Sequence, residues 1–284
     1  MHNLYDIAMN NLSEYQRRYD SMSEEVKNTV VKLMDSAVLC NNMSERRLLS
    51  LLSDRLKNTF EFCADRNKQS LEQFIALPIE EQIELLCNGR TDRQTRIENV
   101  RRVDYSNRYE NGYKFNYFAP YFNIGESLEK YGDYCVLIDP SISGTETVLK
   151  HDSIMYYYYD ENTFDEDACH KDLLPYTHFD LLIADKYSDI LSTSNLNSIK
   201  NDIGIDEDAC EVTTTTKIFP NNMTAVLLSM KLWKEYTDLN FKKTTIGFTD
   251  IDEEERLESF KLLQEELDKY GVFLGPKNLL EDKK

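Results

Sequence analysis

The spacing of apolar residues changes near residue 104, and this change limits the possible folds more than any other feature of the chain. Before it, apolar residues such as Leu4, Ile7 and Ala8 recur every three or four positions, which is the spacing of a buried helix face. After it, short segments rich in β-branched and aromatic residues are typical of strands. The sequence therefore predicts an α+β fold, with an N-terminal helical bundle domain over residues 1–103 and a mixed or antiparallel β-sheet domain with a few helices over residues 104–284.

The same spacing predicts the individual elements. Helices are expected at about residues 4–15, 26–38, 44–60, 71–76 and 78–86. Ser21 and Glu24 form a candidate capping box for the second of these helices. Strands are predicted at residues 113–118, 134–138, 153–159, 179–184, 211–219 and 244–248. Two more helices are predicted at about residues 223–233 and 257–270.

The charge of the chain is strongly uneven. Residues 1–103 carry 15 Lys and Arg against 16 Asp and Glu, whereas residues 104–284 carry 18 against 35. An acidic surface repels phosphate backbones and anionic lipids, so nucleic acid and membranes are disfavoured as partners, and a basic protein is favoured. The polar N-terminal stretch and the lack of a long apolar run predict a cytoplasmic protein.

The cysteines and acidic repeats predict no metal site. Six cysteines occur without a Cys-x-x-Cys pair, which indicates reduced thiols rather than disulfides or a zinc site. The sequence Asp-Glu-Asp-Ala-Cys occurs at residues 165–169 and again at 206–210, but neither copy has the ligand pattern of a calcium loop. Nine glycines are present, and none forms a Gly-rich phosphate loop.

One segment near the middle of the chain has a recognisable order of features. Tyr131 and Gly132 are followed by a hydrophobic strand that ends before Pro140, then by a second β-branched stretch, and then by Asp152 and Ser153. This order resembles the middle of bacterial toxin-type ADP-ribosyltransferase domains, which have a Tyr-Gly turn, a strand ending in Pro, a second strand and a Gly-Asp-Ser triplet.

That resemblance implies a binding site for NAD, which such enzymes use as a substrate. Tyr131, Gly132, Asp152 and Ser153 are then expected to bind NAD, with Ser153 bracing the site by hydrogen bonding. The chain departs from the family pattern at His151, which replaces the glycine of the triplet.

Such domains also begin a later strand with their catalytic glutamate. Glu211 opens a Thr-rich stretch and resembles it, which implies that Glu211 is the catalytic residue. The family often has a Gln two residues before or after this Glu, but this chain has Ala209 and Thr213 there. Cleavage of the nicotinamide bond of NAD leaves positive charge on the ribose, which a facing carboxylate stabilises.

An arginine is the natural group for holding the pyrophosphate of NAD without a Gly-rich loop, because its guanidinium binds two oxygens at once. Arg102 is the first choice, because family members place an Arg on their first strand, and Arg101 and Arg108 are alternatives. Tyr105 or the tyrosines at residues 156–159 are candidates for stacking on the nicotinamide ring.

Two alternatives stay open at this point. Ser192, Thr193 and Ser194 resemble the Ser-Thr-Ser strand of other ADP-ribosyltransferases and rank below Ser153. The chain is then either an ADP-ribosyltransferase-like enzyme that uses NAD to modify a macromolecular target, or a non-enzymatic acidic protein that docks on a basic partner.

Overall fold

The structure is a computed structural model that describes residues 1–122, 132–139, 144–158, 163–193, 209–237 and 253–277, together with residues 196 and 200. The chain folds into two compact units, and each unit is assembled from three separate segments. The first unit comprises residues 1–36, 57–120 and 141–217, and the second comprises residues 37–56, 121–140 and 218–284. The boundary predicted between residues 103 and 104 falls inside a helix of the first unit.

The N-terminal part of the described chain is mainly helical, with β1 between α2 and α3, and the other strands follow α7. The helices are α1 (Leu4–Asp20), α2 (Glu24–Met34), α3 (Glu45–Leu52), α4 (Thr59–Arg66), α5 (Leu71–Ile75), α6 (Ile79–Cys87), α7 (Arg93–Arg108), α8 (Glu166–Lys171), α9 (Phe179–Lys186), α10 (Ser188–Thr193), α11 (Met230–Thr237) and α12 (Glu253–Asp268). The strands are β1 (Val38–Met43), β2 (Asn116–Tyr121), β3 (Tyr134–Ile138), β4 (Thr147–Leu149), β5 (Tyr157–Tyr158), β6 (Thr163–Phe164), β7 (Leu173–Pro175), β8 (Glu211–Thr214), β9 (Met223–Leu228) and β10 (Phe273–Pro276).

The first unit contains an antiparallel sheet with strand order β2-β8-β4-β7. One face of this sheet packs against α1, α7 and α8 through a cluster of buried, largely aromatic side chains. We call this set the aromatic core, and its members are Leu4, Ala8, Tyr105, Tyr109, Phe115, Leu149, Tyr156, Tyr157, Phe164, Cys169 and Leu173. Because Leu149 and Leu173 point into it, the strand residues in register with them face the same helices.

A second cluster in the first unit joins α4, α5, α6 and α7. Its largest members are Phe60, Phe74, Ile83 and Tyr113, and the Phe60 and Tyr113 rings meet edge to face at 4.7 Å between centroids. This cluster contains the helix packing that the sequence predicts for the N-terminal part.

The second unit contains a mixed sheet with strand order β10-β9-β3-β1. The pairs β1–β3 and β3–β9 are antiparallel, and β9–β10 is parallel. The helices α11 and α12 pack against β9 and β10, and the Tyr134 and Tyr236 hydroxyls form a hydrogen bond of 2.8 Å. The predicted α+β class, with helices that precede a mixed sheet, is confirmed.

Two largely apolar segments have the opposite conformation to the one predicted. Residues 179–184 are helical in α9, where Phe179 and the run from Leu181 to Ala184 are buried on all sides. Residues 223–228 form β9, a strand paired on both edges. Each segment has a single polar residue, Asp180 or Thr224, which is too little to establish a helical or a strand periodicity, so the packing of its neighbours in the fold decides the conformation.

Other predicted strands are shortened or shifted. Residues 134–138 form β3 as predicted, but residues 153–156 form a 3-10 turn before β5, and only residues 211–214 of the 211–219 stretch are extended. Strand β1 was not predicted, and the capping serine of α2 is Ser23 rather than Ser21. The predicted strand at residues 244–248 lies outside the described residues.

All six cysteines are buried, and no two of them are joined in a disulfide. None of the described helices combines the length and the apolar character that crossing a bilayer requires.

Two capping boxes in the first unit give a test of how burial changes the value of a cap. Asn58 is buried; its Oδ1 accepts from the backbone N–H of Phe60 and Glu61, and its Nδ2 donates to the Tyr113 carbonyl at 2.9 Å. Ser70 caps α5 at the surface through the backbone of Gln73.

We expect Asn58→Ala to lower the free energy of unfolding by about 2–3 kcal/mol, because it leaves buried backbone groups unpaired, and Ser70→Ala to lower it by about 1 kcal/mol. Urea denaturation of the two variants measures both values. Equal losses in both variants would contradict the role of burial.

Candidate functional site

Glu211 is the first residue of β8, the strand that lies between β2 and β4. It is in register with Leu149 of β4, whose side chain lies in the aromatic core, so the Glu211 side chain points toward the same face. The residue keeps partial exposure, but its Oε1 atom is buried and has no hydrogen-bond partner among the described residues. The carboxyl therefore lies between the sheet and the helices that cover it.

Ser153 and Asp152 reach this carboxyl from a short turn that follows β4. Asp152 caps the turn by accepting a hydrogen bond of 3.0 Å from the Ile154 N–H, and Ser153 begins the turn. Ser153 approaches the Glu211 carboxyl with its hydroxyl and its backbone N–H. The fold thus brings together three residues that the sequence singles out, Asp152, Ser153 and Glu211.

Burial is the main influence on the ionisation of this site. Desolvation raises the pKa of Glu211 well above its ordinary value, and the negative charge of Asp152 raises it further. The hydrogen bonds from Ser153 favour the charged form and lower the pKa in part. Glu211 therefore keeps its proton to a higher pH than an exposed glutamate does.

Tyr117 is a member of this site that the sequence did not reveal. It lies on β2 in register with Thr213, and its hydroxyl lies within hydrogen-bonding reach of Ser106 and within electrostatic reach of Glu211 and Asp152. Burial raises the pKa of Tyr117, and the nearby acidic groups add to the shift. Tyrosines on strands usually pack in a core, so no feature of the sequence distinguished Tyr117 from the other tyrosines.

Arg102 lies on the helix α7, not on a first strand as the family resemblance implies, and its charge influences the same tyrosine. Its positive charge lowers the pKa of Tyr117, while the negative charges of Glu211 and Asp152 raise it, so all three charged groups act electrostatically on one hydroxyl. Arg102 is partly exposed, and its Nη1 donates to the Asn99 Oδ1 at 2.7 Å.

The two alternative arginines have other partners. Arg101 is buried, with its guanidinium 5.6 Å from the centre of the Tyr157 ring. Arg108 pairs with Asp104 at 3.0 Å and with Glu166 at 3.4 Å. Of the three arginines considered from the sequence, Arg102 is the one that the fold places beside the residues around Glu211.

The tyrosines expected to stack on a ligand belong to the aromatic core. Tyr105, Tyr156 and Tyr157 are 2%, 6% and 5% exposed, and Tyr157 packs on the Phe164 ring at 4.9 Å between centroids. Their rings are enclosed by neighbouring side chains and do not present an open stacking face. Tyr159 lies outside the described residues.

The remaining predicted positions lie elsewhere. Ser192 is on helix α10, not on a strand, and its hydroxyl donates to the Asp189 carbonyl at 2.8 Å. Tyr131 lies outside the described residues, and Gly132 belongs to the second unit.

The backbone of β1 explains the glycine at position 132. Gly132 has a φ of +149°, and a Cβ atom there would lie 2.1 Å from the carbonyl carbon of Met43. Only glycine fits this close approach. The binding of NAD by Gly132 and Tyr131 stays a prediction.

Comparison with known proteins assigns no family to this chain. No protein-family model matches the chain, and no curated protein matches it at a significant level. The likeness to toxin-type ADP-ribosyltransferases therefore rests on the residues themselves. Within the described ranges, no group of three or more His, Cys, Asp or Glu side chains is placed to hold a metal ion.

The second unit offers a test of the Gly132 contact. We expect Gly132→Ala to lower the free energy of unfolding by about 3 kcal/mol or more, because the methyl group overlaps the Met43 backbone. Gly271→Ala is the matched control in the same unit, because Gly271 has a φ of +68° with open space around it, and a loss of only about 1–2 kcal/mol is expected. Thermal and urea denaturation measure both. Similar losses would show that the steric contact is not decisive.

The raised pKa of Glu211 predicts a pH-dependent stability. A group with a folded pKa above its unfolded value contributes stability at low pH, and this contribution is lost as pH rises through the folded pKa. Because Gln carries no proton to lose, we expect Glu211→Gln to gain stability relative to the native protein as pH rises from about 4.5 toward alkaline values. Melting temperatures across pH measure this difference. A trend of the same size in Glu98→Gln, a substitution at an exposed position on α7, would contradict the assignment to Glu211.

Proposed function

We propose that the first unit is an NAD-dependent, ADP-ribosyltransferase-like enzyme in which Glu211 is the catalytic carboxylate. The observation that supports this most directly is the contact between Ser153 and Glu211. These residues are 58 positions apart in the chain, and the family resemblance singles out both of them. Their meeting in the fold is what the proposed site requires.

Glu211 supplies the charge stabilisation that the reaction needs. When the bond between nicotinamide and ribose breaks, positive charge develops on the ribose, and an ionised carboxylate facing it lowers the barrier. The partly buried position of Glu211 strengthens this interaction, because charges attract more strongly away from bulk water. Ser153 fixes the carboxyl through its hydroxyl and backbone N–H.

The proton on Glu211 links NAD binding to pH. The nicotinamide ring of NAD is positively charged, so its approach favours the ionised form of Glu211 and displaces the proton. Asp152 adds a second negative charge beside the ring. NAD affinity is therefore expected to increase as pH rises through the folded pKa of Glu211.

Arg102 is the proposed ligand of the pyrophosphate. A guanidinium binds two phosphate oxygens in a planar arrangement and needs no Gly-rich loop. Arg102 shares the surroundings of Tyr117 with Glu211 and Asp152, and its partial exposure leaves it accessible to a ligand.

The proposed target is a basic macromolecule, in the first place a protein. The net charge of −17 carried by residues 104–284 attracts a basic surface at long range and orients it before contact. We place the reaction in the cytoplasm, because none of the six cysteines forms a disulfide, which is typical of a reducing compartment.

Titration with NAD tests the proposal. We expect NAD to raise the melting temperature of the native protein, and Glu211→Gln to lower NAD turnover by roughly 10³-fold while it keeps the fold. The matched control, Glu98→Gln, is expected to keep full turnover, because Glu98 lies on an exposed part of α7. Mass spectrometry of released nicotinamide measures turnover. Unchanged melting up to millimolar NAD would reject the enzyme and favour an acidic protein that docks on a basic partner.

A further inference from the structure

Three buried polar atoms on the inward side of the first unit's sheet have no hydrogen-bond partner among the described residues. They are the Oε1 of Glu211, the Oγ1 of Thr213 and the hydroxyl of Tyr105. Thr213 and Tyr105 are only 4% and 2% exposed, so bulk water does not satisfy them. Buried polar atoms in folded proteins are normally paired, which makes a group of three a feature that needs a partner.

These atoms belong to one place in the fold. Thr213 follows Glu211 by two positions on β8, so both side chains project from the same face of the strand. Tyr117 is in register with Thr213 on the neighbouring strand. The Tyr105 hydroxyl, on α7, lies within electrostatic reach of both Glu211 and Tyr117. We call Tyr105, Tyr117, Glu211 and Thr213 the β8 polar cluster.

The charges around the cluster select the type of partner. The carboxyl groups of Glu211 and Asp152 repel each other, and a cation between them relieves that repulsion. The unpaired atoms of Glu211, Thr213 and Tyr105 are all oxygens that accept hydrogen bonds. A ligand with several N–H donors and a positive charge meets both conditions. Because Thr213 and Tyr105 are almost fully buried, the group that reaches their oxygens must be small.

We propose that the β8 polar cluster binds a small organic cation of the primary alkylammonium class, whose N–H groups donate to Glu211, Thr213 and Tyr105. The inference goes beyond the proposed function, because it requires no cleavage of NAD. Both ligands use Glu211, so an alkylammonium ion is expected to compete with NAD.

Methylammonium chloride is the probe, with sodium chloride at the same ionic strength as the reference. We expect methylammonium to raise the melting temperature and to bind with one-to-one stoichiometry by NMR titration, in the millimolar range for so small a ligand. Binding is expected to tighten as pH rises, because Glu211 must lose its proton to attract the cation. Acetamide, a neutral molecule of similar size, is expected to bind at least tenfold more weakly.

Two conservative variants separate a binding role from a structural one. Thr213→Val and Tyr105→Phe each remove one unpaired oxygen and keep the shape of the side chain. We expect both to keep or raise the melting temperature of the free protein, because no hydrogen bond is lost, and to weaken methylammonium binding at least tenfold. Tyr109→Phe is the control, because the Tyr109 hydroxyl faces the Cys169 sulfur at 3.8 Å, and it is expected to bind normally.

Each result has a defined meaning. Absence of methylammonium binding to the native protein, or unchanged binding in both Thr213→Val and Tyr105→Phe, would overturn the inference. A lower melting temperature in both variants without any binding would assign the three oxygens to ordered water that stabilises the fold. NAD turnover without methylammonium binding would leave the proposed function standing and reject this inference, whereas the reverse result would reject the proposed function alone.

Discussion

The placement of a carboxyl group on the inward face of a strand between two others is the constraint on which the candidate site depends. The Glu211 side chain lies on the same face of the sheet as Leu149, which packs in the aromatic core. Ionisation of a carboxyl group is unfavourable there unless hydrogen bonds or a positive charge compensate for the lost hydration. The fold supplies part of that compensation through Ser153 and leaves Oε1 without a partner. A solvated edge carboxylate would have no reason to shift its pKa, so the burial itself marks the position as chemically distinct.

The sequence predicted the parts of the fold in which periodicity or chemistry was unambiguous. The helix α1 and the strand β3 appeared where they were expected, because the first has a clear helical stripe and the second is a short β-branched and aromatic run. Residues 179–184 and 223–228 were assigned the wrong conformation, because each has only one polar residue and therefore no clear periodicity. The three-segment composition of each unit could not be predicted, because it depends on contacts between residues far apart in the chain.

The candidate site was predictable only in its charged and small polar members. Asp152, Ser153 and Glu211 could be chosen because carboxylates and hydroxyls are the groups that such chemistry uses, and the fold places them together. Tyr117 could not be chosen, and Tyr105 was chosen only for ring stacking, because the place of one tyrosine hydroxyl among 18 tyrosines is not visible in the sequence. NAD binding and catalysis remain predictions.

The division of each unit into three separate segments has a consequence for how the chain is made. The first unit needs residues 1–36 together with residues up to 217, so its N-terminal helices emerge from the ribosome long before β8 and its neighbours exist. The inward face of α1, with Leu4 and Ala8, stays uncovered during that interval. During synthesis, the apolar faces of these helices are therefore exposed until the strands of the sheet have been made. This favours protection by chaperones, and we expect the core to form late and slowly.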